Sequence, residues 1–185
     1  MNICLDPGHG MSNARHGVYD TGAAVEVDGV EITEAGIVMK WANVLRSILQ
    51  RMGHKVIRTR VDERDPAPVG ERADIARKYD CEMFIALHCN CANGQAKGTE
   101  TFYRGEQNKS LAQACNDAVV KMLDMKDRGV KTEHESQHTH LAVLNFPRAV
   151  LIELGFIDHA GDRAKLMDET LMYLACEALA DAITS

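Results

Sequence analysis

Short apolar runs alternate along this chain with longer stretches in which apolar residues recur every three or four positions. "NICL" at residues 2–5 is a short buried strand that ends in the turn-rich "DPGHG". From Ile32 to Met52, the residues Ile37, Val38, Trp41, Val44, Leu45, Ile48, Leu49 and Met52 follow helical spacing, with Thr33 as N-cap and Gly53 as the stop. "HKVIRTR" reads as a strand, and Pro66 and Pro68 mark a loop before a helix over about 69–79. "MFIALHCN" is too short and too apolar for a surface helix and is predicted as a buried strand; "GTETFYRG" alternates like another. A helix is predicted over about 107–124, then a polar loop rich in histidine, then two strands, "LAVLNF" and "AVLIELGF", and a closing helix over about the last 25 residues. Strands interleaved with amphipathic helices predict an α/β fold: one three-layer sandwich, with a mostly parallel twisted sheet flanked by helices. The pattern shows no repeat and no linker, so residues 1–185 are expected to form one domain with no second module appended.

Composition narrows the function without naming it. A net charge of -6 argues against a nucleic-acid partner, because phosphate binding rests on clustered Lys and Arg. No apolar run approaches the roughly 20 residues of a membrane span, so no membrane insertion is expected. The first residues lack the basic n-region and long apolar stretch of a signal peptide, and residence in the cytoplasm after synthesis is therefore expected. Six cysteines, Cys4, Cys81, Cys89, Cys91, Cys115 and Cys176, are scattered through apolar segments and are expected to be reduced packing residues.

Chemistry-bearing residues collect where an α/β sheet places its ligands, at the carboxyl ends of strands. His9 follows the first strand between two glycines. His88 ends an apolar run, on the strand face of Phe84 and Ala86. Glu153 interrupts "VLIELGFI", where a carboxylate is costly unless compensated. Glu34 shares a helical stripe with Val38, Trp41, Leu45 and Ile48 and should point inward; Glu31, three residues earlier, competes for the same role. Two imidazoles and two inward carboxylates make up a zinc-hydrolase inventory: two His and one Glu hold the metal and leave a position for water, and the other carboxylate moves the proton. Cys89 as a nucleophile is the competing chemistry, but a thiolate is usually activated at a helix N-terminus and Cys89 ends a strand. His138 and His140 lie in a polar loop and are read as groove-shaping, solvated residues.

"LDPGHG", the acidic helix start at Glu34, "FIALHCN" and "AVLIELGFI", in this order, resemble the zinc-dependent N-acetylmuramoyl-L-alanine amidases of the amidase-3 class. The resemblance takes in "DTGA" at 20–23, "RTR" at 58–60, Arg72, "GTETFY" at 98–103 and "DRGVK" at 127–131. It implies one Zn²⁺ per chain held by His9, Glu34 and His88, with Glu153 as the catalytic carboxylate. The implied reaction is hydrolysis of the bond between N-acetylmuramic acid and L-alanine in bacterial peptidoglycan. Two departures stand out: Ala35 replaces the usual basic residue after the ligand glutamate, and "ALHCN" replaces the common "SIHAN". A compact enzyme of this kind is expected to be a phage endolysin acting after membrane breach. A bacterial autolysin or sporulation amidase is the alternative within the same chemistry, and a non-catalytic peptidoglycan-binding domain the alternative outside it.

Overall fold

The computed structural model describes residues 1–185, and its centre is a six-stranded sheet. In chain order the elements are β1 (Asn2–Pro7), β2 (Gly10–Met11), β3 (Tyr19–Asp20), β4 (Ala24–Val27), β5 (Val30–Thr33), α1 (Glu34–Arg51), β6 (Lys55–Arg58), α2 (Arg72–Lys78), β7 (Met83–Asn90), β8 (Thr99–Tyr103), α3 (Lys109–Leu123), β9 (Asp127–Thr132), β10 (Ala149–Phe156), α4 (Ala160–Met167) and α5 (Glu169–Thr184). The sheet order is β6-β1-β7-β10-β8-β9. Only the β10–β8 pair is antiparallel, so the sheet is mostly parallel as predicted. No helix is long and apolar enough to cross a membrane.

The two faces of the sheet are covered unequally. Ile3, Leu5, Met83, Ile85, Leu87 and Cys89 point to one side and join α1, α3 and α5 in a core of 31 buried residues. Trp41, fully buried there, satisfies its indole N–H on the Leu166 carbonyl at 3.0 Å. The alternate residues Cys4, Phe84, Ala86, Phe102, Ala149 and Leu151 face the other way, into a cluster of 11 under α2 and a short 3₁₀ turn at Ala142–Leu144. That thin layer stops short. Continue the same alternation toward the open end and the apolar residues give way to His88 after Ala86, Glu153 after Leu151, and Glu100 before Phe102. The open end of the thin side is therefore where the polar side chains meet.

Several expectations change. "LAVLNF" forms a 3₁₀ turn at Ala142–Leu144, not a strand. Its apolar side chains do bury, but the run is short and Pro147 follows at once, and period alone cannot separate a short strand from a buried turn. The closing helix is two, α4 and α5, broken at Asp168, whose carboxylate caps the second through Leu171 N at 2.9 Å. Helix α1 keeps its predicted cap, Thr33, accepting from Gly36 N at 3.2 Å. Before it stands an additional hairpin, β4–β5, turned at Asp28-Gly29 with φ of 51° and 76°. All six cysteines are free; Cys91 is exposed, which corrects its expected packing role.

Candidate metal centre

Three donor residues converge at the carboxyl ends of β1 and β7. His9 lies just past β1, Glu34 opens α1, and His88 stands near the end of β7. Their ligand atoms all lie within 4.8 Å of one another. His9 Nε2 is 3.1 Å from Glu34 Oε2, and His88 Nδ1 is 2.9 Å from Glu34 Oε1. The imidazole rings stand edge to face with centroids 5.1 Å apart. Glu31 is exposed on β5 and does not reach this cluster, whereas Glu34 is 3% exposed. The backbone N–H groups of Ala23 and Cys89 donate to its two oxygens at 3.0 and 2.9 Å, which fixes the carboxylate plane.

Local sequence explains how His9 arrives. The residue adopts φ 59°, a left-handed conformation uncommon for a side chain of this size, and Gly10 follows at φ 96°. Arg60 and Arg72, both about 1% exposed, hold this strained loop from beneath. Arg60 donates to the carbonyls of Pro7, Gly8 and Ala35, and Arg72 to those of Pro7 and His9 and to Asp6 Oδ1. Gly8 serves a different purpose from its neighbour: its backbone is not left-handed, and what it supplies is space. A Cβ there would lie 2.5 Å from His88 Nε2 and 2.7 Å from Nδ1. Gly22 does the same for the other two residues, since its Cβ would lie 2.5 Å from Glu34 Oε2 and 2.6 Å from the His9 ring.

Asp20 completes the arrangement. Its Oδ2 accepts from His9 Nδ1 at 3.0 Å and from Asn13 Nδ2 at 2.6 Å, while Oδ1 accepts from Gly22 N at 2.9 Å. A proton fixed on Nδ1 leaves Nε2, the nitrogen facing Glu34, as the donor atom. Sequence reasoning gave Asp20 no role, although "DTGA" carried it; a lone aspartate before a glycine reads as a turn residue.

The electrostatics follow from burial and proximity. Burial opposes ionisation of Glu34, yet hydrogen bonds from His88 and His9 outweigh it and hold the carboxyl well below its usual range. Burial likewise works against charging of His9, but contacts with Glu34 and then Asp20 raise its pKa. Two imidazoles and one ionised carboxylate are the donor set of a hydrolytic zinc site with one position left for water, so the residues fit the metal.

Glu153 sits opposite. It pairs in register with His88 on β7 and Glu100 on β8. Its Oε2 is shielded and has no hydrogen-bond partner. Burial, then the nearby charges of Glu34 and Glu100, push its pKa well above the ordinary carboxyl range. One residue further, β10 carries a bulge, because three steps from Glu153 to Phe156 match two from His88 to Asn90. His9, Glu34, His88 and Glu153 line a single cavity of about 730 Å³, large enough for a substrate of drug size or more. His138 and His140 lie on its far wall, outside the three-residue cluster, and His140 contacts Arg104. Cys89 faces the opposite core at 4% exposure, where burial raises its thiol pKa strongly, so it is no nucleophile.

The family model described as N-acetylmuramoyl-L-alanine amidase matches residues 3–185. An uncharacterized cell wall amidase of Bacillus anthracis is 30% identical over 190 residues, covering 96% of this chain and 34% of its own length. The germination-specific N-acetylmuramoyl-L-alanine amidase of Bacillus subtilis is 27% identical over 180 residues, covering 89% of this chain and 70% of its own. This chain thus spans about a third of the first relative and most of the second. Among solved structures, the catalytic domain of CwlV, an amidase from Bacillus (Paenibacillus) polymyxa var. colistinus, superposes with a TM-score of 0.84 at 25% identity, covering 99% of this chain and 96% of that one. The catalytic domain of the CD27L endolysin, which targets Clostridia difficile, gives 0.76 at 25% identity, covering 100% and 97%. The chain belongs to the N-acetylmuramoyl-L-alanine amidase family.

Proposed function

We propose that this protein is a zinc-dependent amidase that hydrolyses the bond between N-acetylmuramic acid and L-alanine in peptidoglycan. The observation that carries the reading is the convergence of ligand atoms of His9, Glu34 and His88 within 4.8 Å of one another, in one cavity with an unpartnered carboxyl oxygen at Glu153. His9, Glu34 and His88 would hold one Zn²⁺. When bound, the metal supplies an acidified water and polarises the scissile carbonyl.

The protein's own groups do the rest. Asp20 keeps the His9 proton on Nδ1, and the Ala23 and Cys89 amides keep the Glu34 carboxylate oriented. Glu153 Oε2 takes the proton of the attacking water and passes it to the leaving nitrogen of L-alanine, so the amine departs neutral. Its lack of any other partner leaves that oxygen free to move a proton.

The test is digestion of purified peptidoglycan with mass analysis of the products. Free L-alanine amino termini and intact muramic acid are expected with the native protein. Glu153→Gln should retain zinc and lose about 10²- to 10⁴-fold in rate. Release of reducing sugar, or cleavage within the stem peptide, would overturn the reading.

Two biological settings fit this chemistry. Host lysis by a phage is supported by the likeness to the CD27L endolysin catalytic domain. Remodelling of a bacterium's own wall is supported by the germination-specific relative. A gene for a membrane-permeabilising protein beside this one supports the first; a sporulation or germination gene cluster supports the second.

A further inference from the structure

We propose that Arg128, with Lys131 beside it, binds a substrate carboxylate on the peptide side of the cleft and so selects stem peptides by their charge. The inference rests on the amidase reading above.

Arg128 is aimed into the cavity by a bulge. Two steps on β8, from Thr99 to Thr101, match three on β9, from Asp127 to Val130, so one residue is extra at Arg128-Gly129. Gly129 takes φ 82° there, and Asp127 pins the kink by accepting from Gly129 N at 2.7 Å and from Asn116 Nδ2 at 2.8 Å. Such bulges re-aim side chains. The bulge in β10 meets it from the neighbouring side and brings Phe156 under the guanidinium, whose Cζ lies 4.9 Å from the ring centroid.

The guanidinium is held at one end and free at the other. Arg128 Nε donates to Glu100 Oε2 at 3.0 Å, and neither terminal nitrogen has a protein partner. Lys131 Nζ meets the same Glu100 oxygen, and Asn90 Nδ2 holds the other at 2.8 Å. Glu100 is only 5% exposed, so two cations share one buried carboxylate and this group of three keeps a net positive charge. An arginine fixed through Nε and stacked on an aromatic ring presents its remaining N–H fork for bidentate binding of a carboxylate. Both cations line the cavity that holds Glu153, and Glu100 is the register neighbour of Glu153.

Substrate chemistry says which end this fork faces. The lactyl carboxyl of the muramic acid is consumed in the scissile amide, and the rest of the sugar is neutral. On the peptide side, L-alanine is followed by a glutamyl residue whose α-carboxyl is either free or amidated. A carboxylate near the reacting bond is therefore found only on the peptide side.

The experiment compares two otherwise identical disaccharide tetrapeptides, one with D-glutamate and one with D-isoglutamine after L-alanine. The native protein is expected to show a KM about tenfold lower for the D-glutamate substrate, with similar kcat, as loss of a charge-assisted pair implies. Arg128→Gln should bring that ratio close to one, and Arg128→Lys should restore only part of it, because lysine lacks the fork. Equal KM values for the native protein would overturn the inference, as would an Arg128→Gln that leaves the ratio unchanged. The native comparison needs no variant to fold. Failure to cleave either substrate would overturn the amidase reading itself, whereas cleavage of both with equal KM overturns only the charge selection.

Discussion

Replacing Gly8 with alanine should disable the metal centre while sparing the fold. The added methyl would lie 2.5 Å from His88 Nε2 and 2.7 Å from Nδ1, and ordinary contact begins near 3.4 Å. Ring or loop must therefore yield by close to 1 Å. Metal sites hold their ligand distances to within about 0.2 Å, so such a displacement leaves His88 unable to ligate in register with His9 and Glu34. Gly8 does not use the left-handed region, so the backbone itself accepts alanine and the cost falls on the site. The expected loss in zinc affinity is at least about 10- to 100-fold, the range seen when groups that merely orient a ligand are removed. Overpacking should also lower the stability of the metal-free protein by about 1–3 kcal/mol. Zinc competition against a chromophoric chelator reads the first effect, and thermal unfolding the second. Gly70→Ala is the control, because Gly70 has open space around it and no left-handed φ. Native zinc affinity in Gly8→Ala would refute the claim that this glycine makes room for a ligand.

Other predictions address the surroundings. Asp20→Ala frees the His9 tautomer and should weaken zinc binding about 10- to 100-fold by the same titration, with the fold intact by circular dichroism. Cys89→Ala should still cleave peptidoglycan, since the thiol lies in the opposite core; loss of cleavage with zinc still bound would revive a thiol mechanism. Arg104 forms a paired contact with Glu133 and holds its carboxyl below the ordinary value of 4.5. A carboxyl lowered by folding contributes stability that is complete above its unfolded pKa and is lost as pH falls through the lower folded value. Unfolding followed from pH 6 downward should therefore show that acid loss in the native protein and a shallower one in Arg104→Met.

Much of this architecture was legible because burial writes itself into apolar runs. β1, β7 and β10 are buried on both faces and appear as continuous apolar segments, and α1 carries an unbroken stripe from Val38 to Ile48. That stripe also placed Glu34 inward and left Glu31 in water. Less legible were elements made by turns and exposed edges. β9 is an edge strand with alternating charge and a bulge, so it has no apolar signature. The β4–β5 hairpin was written in Asp28-Gly29, a two-residue turn signal that apolar periodicity passes over. Asp20, Gly8 and Arg128 were hidden for a common reason: each acts through a neighbour brought close only by the tertiary fold. The space that Gly8 leaves for a ring 80 residues away, at His88, has no local mark in the sequence.

The central claim is that His9, Glu34 and His88 form a zinc site on which hydrolysis depends. Elemental analysis of the purified protein, paired with peptidoglycan cleavage before chelation, after it and after return of zinc, tests this most directly. The account predicts about one zinc per chain, loss of cleavage on chelation and recovery with zinc. Metal-free protein that still released L-alanine amino termini from the wall would contradict it.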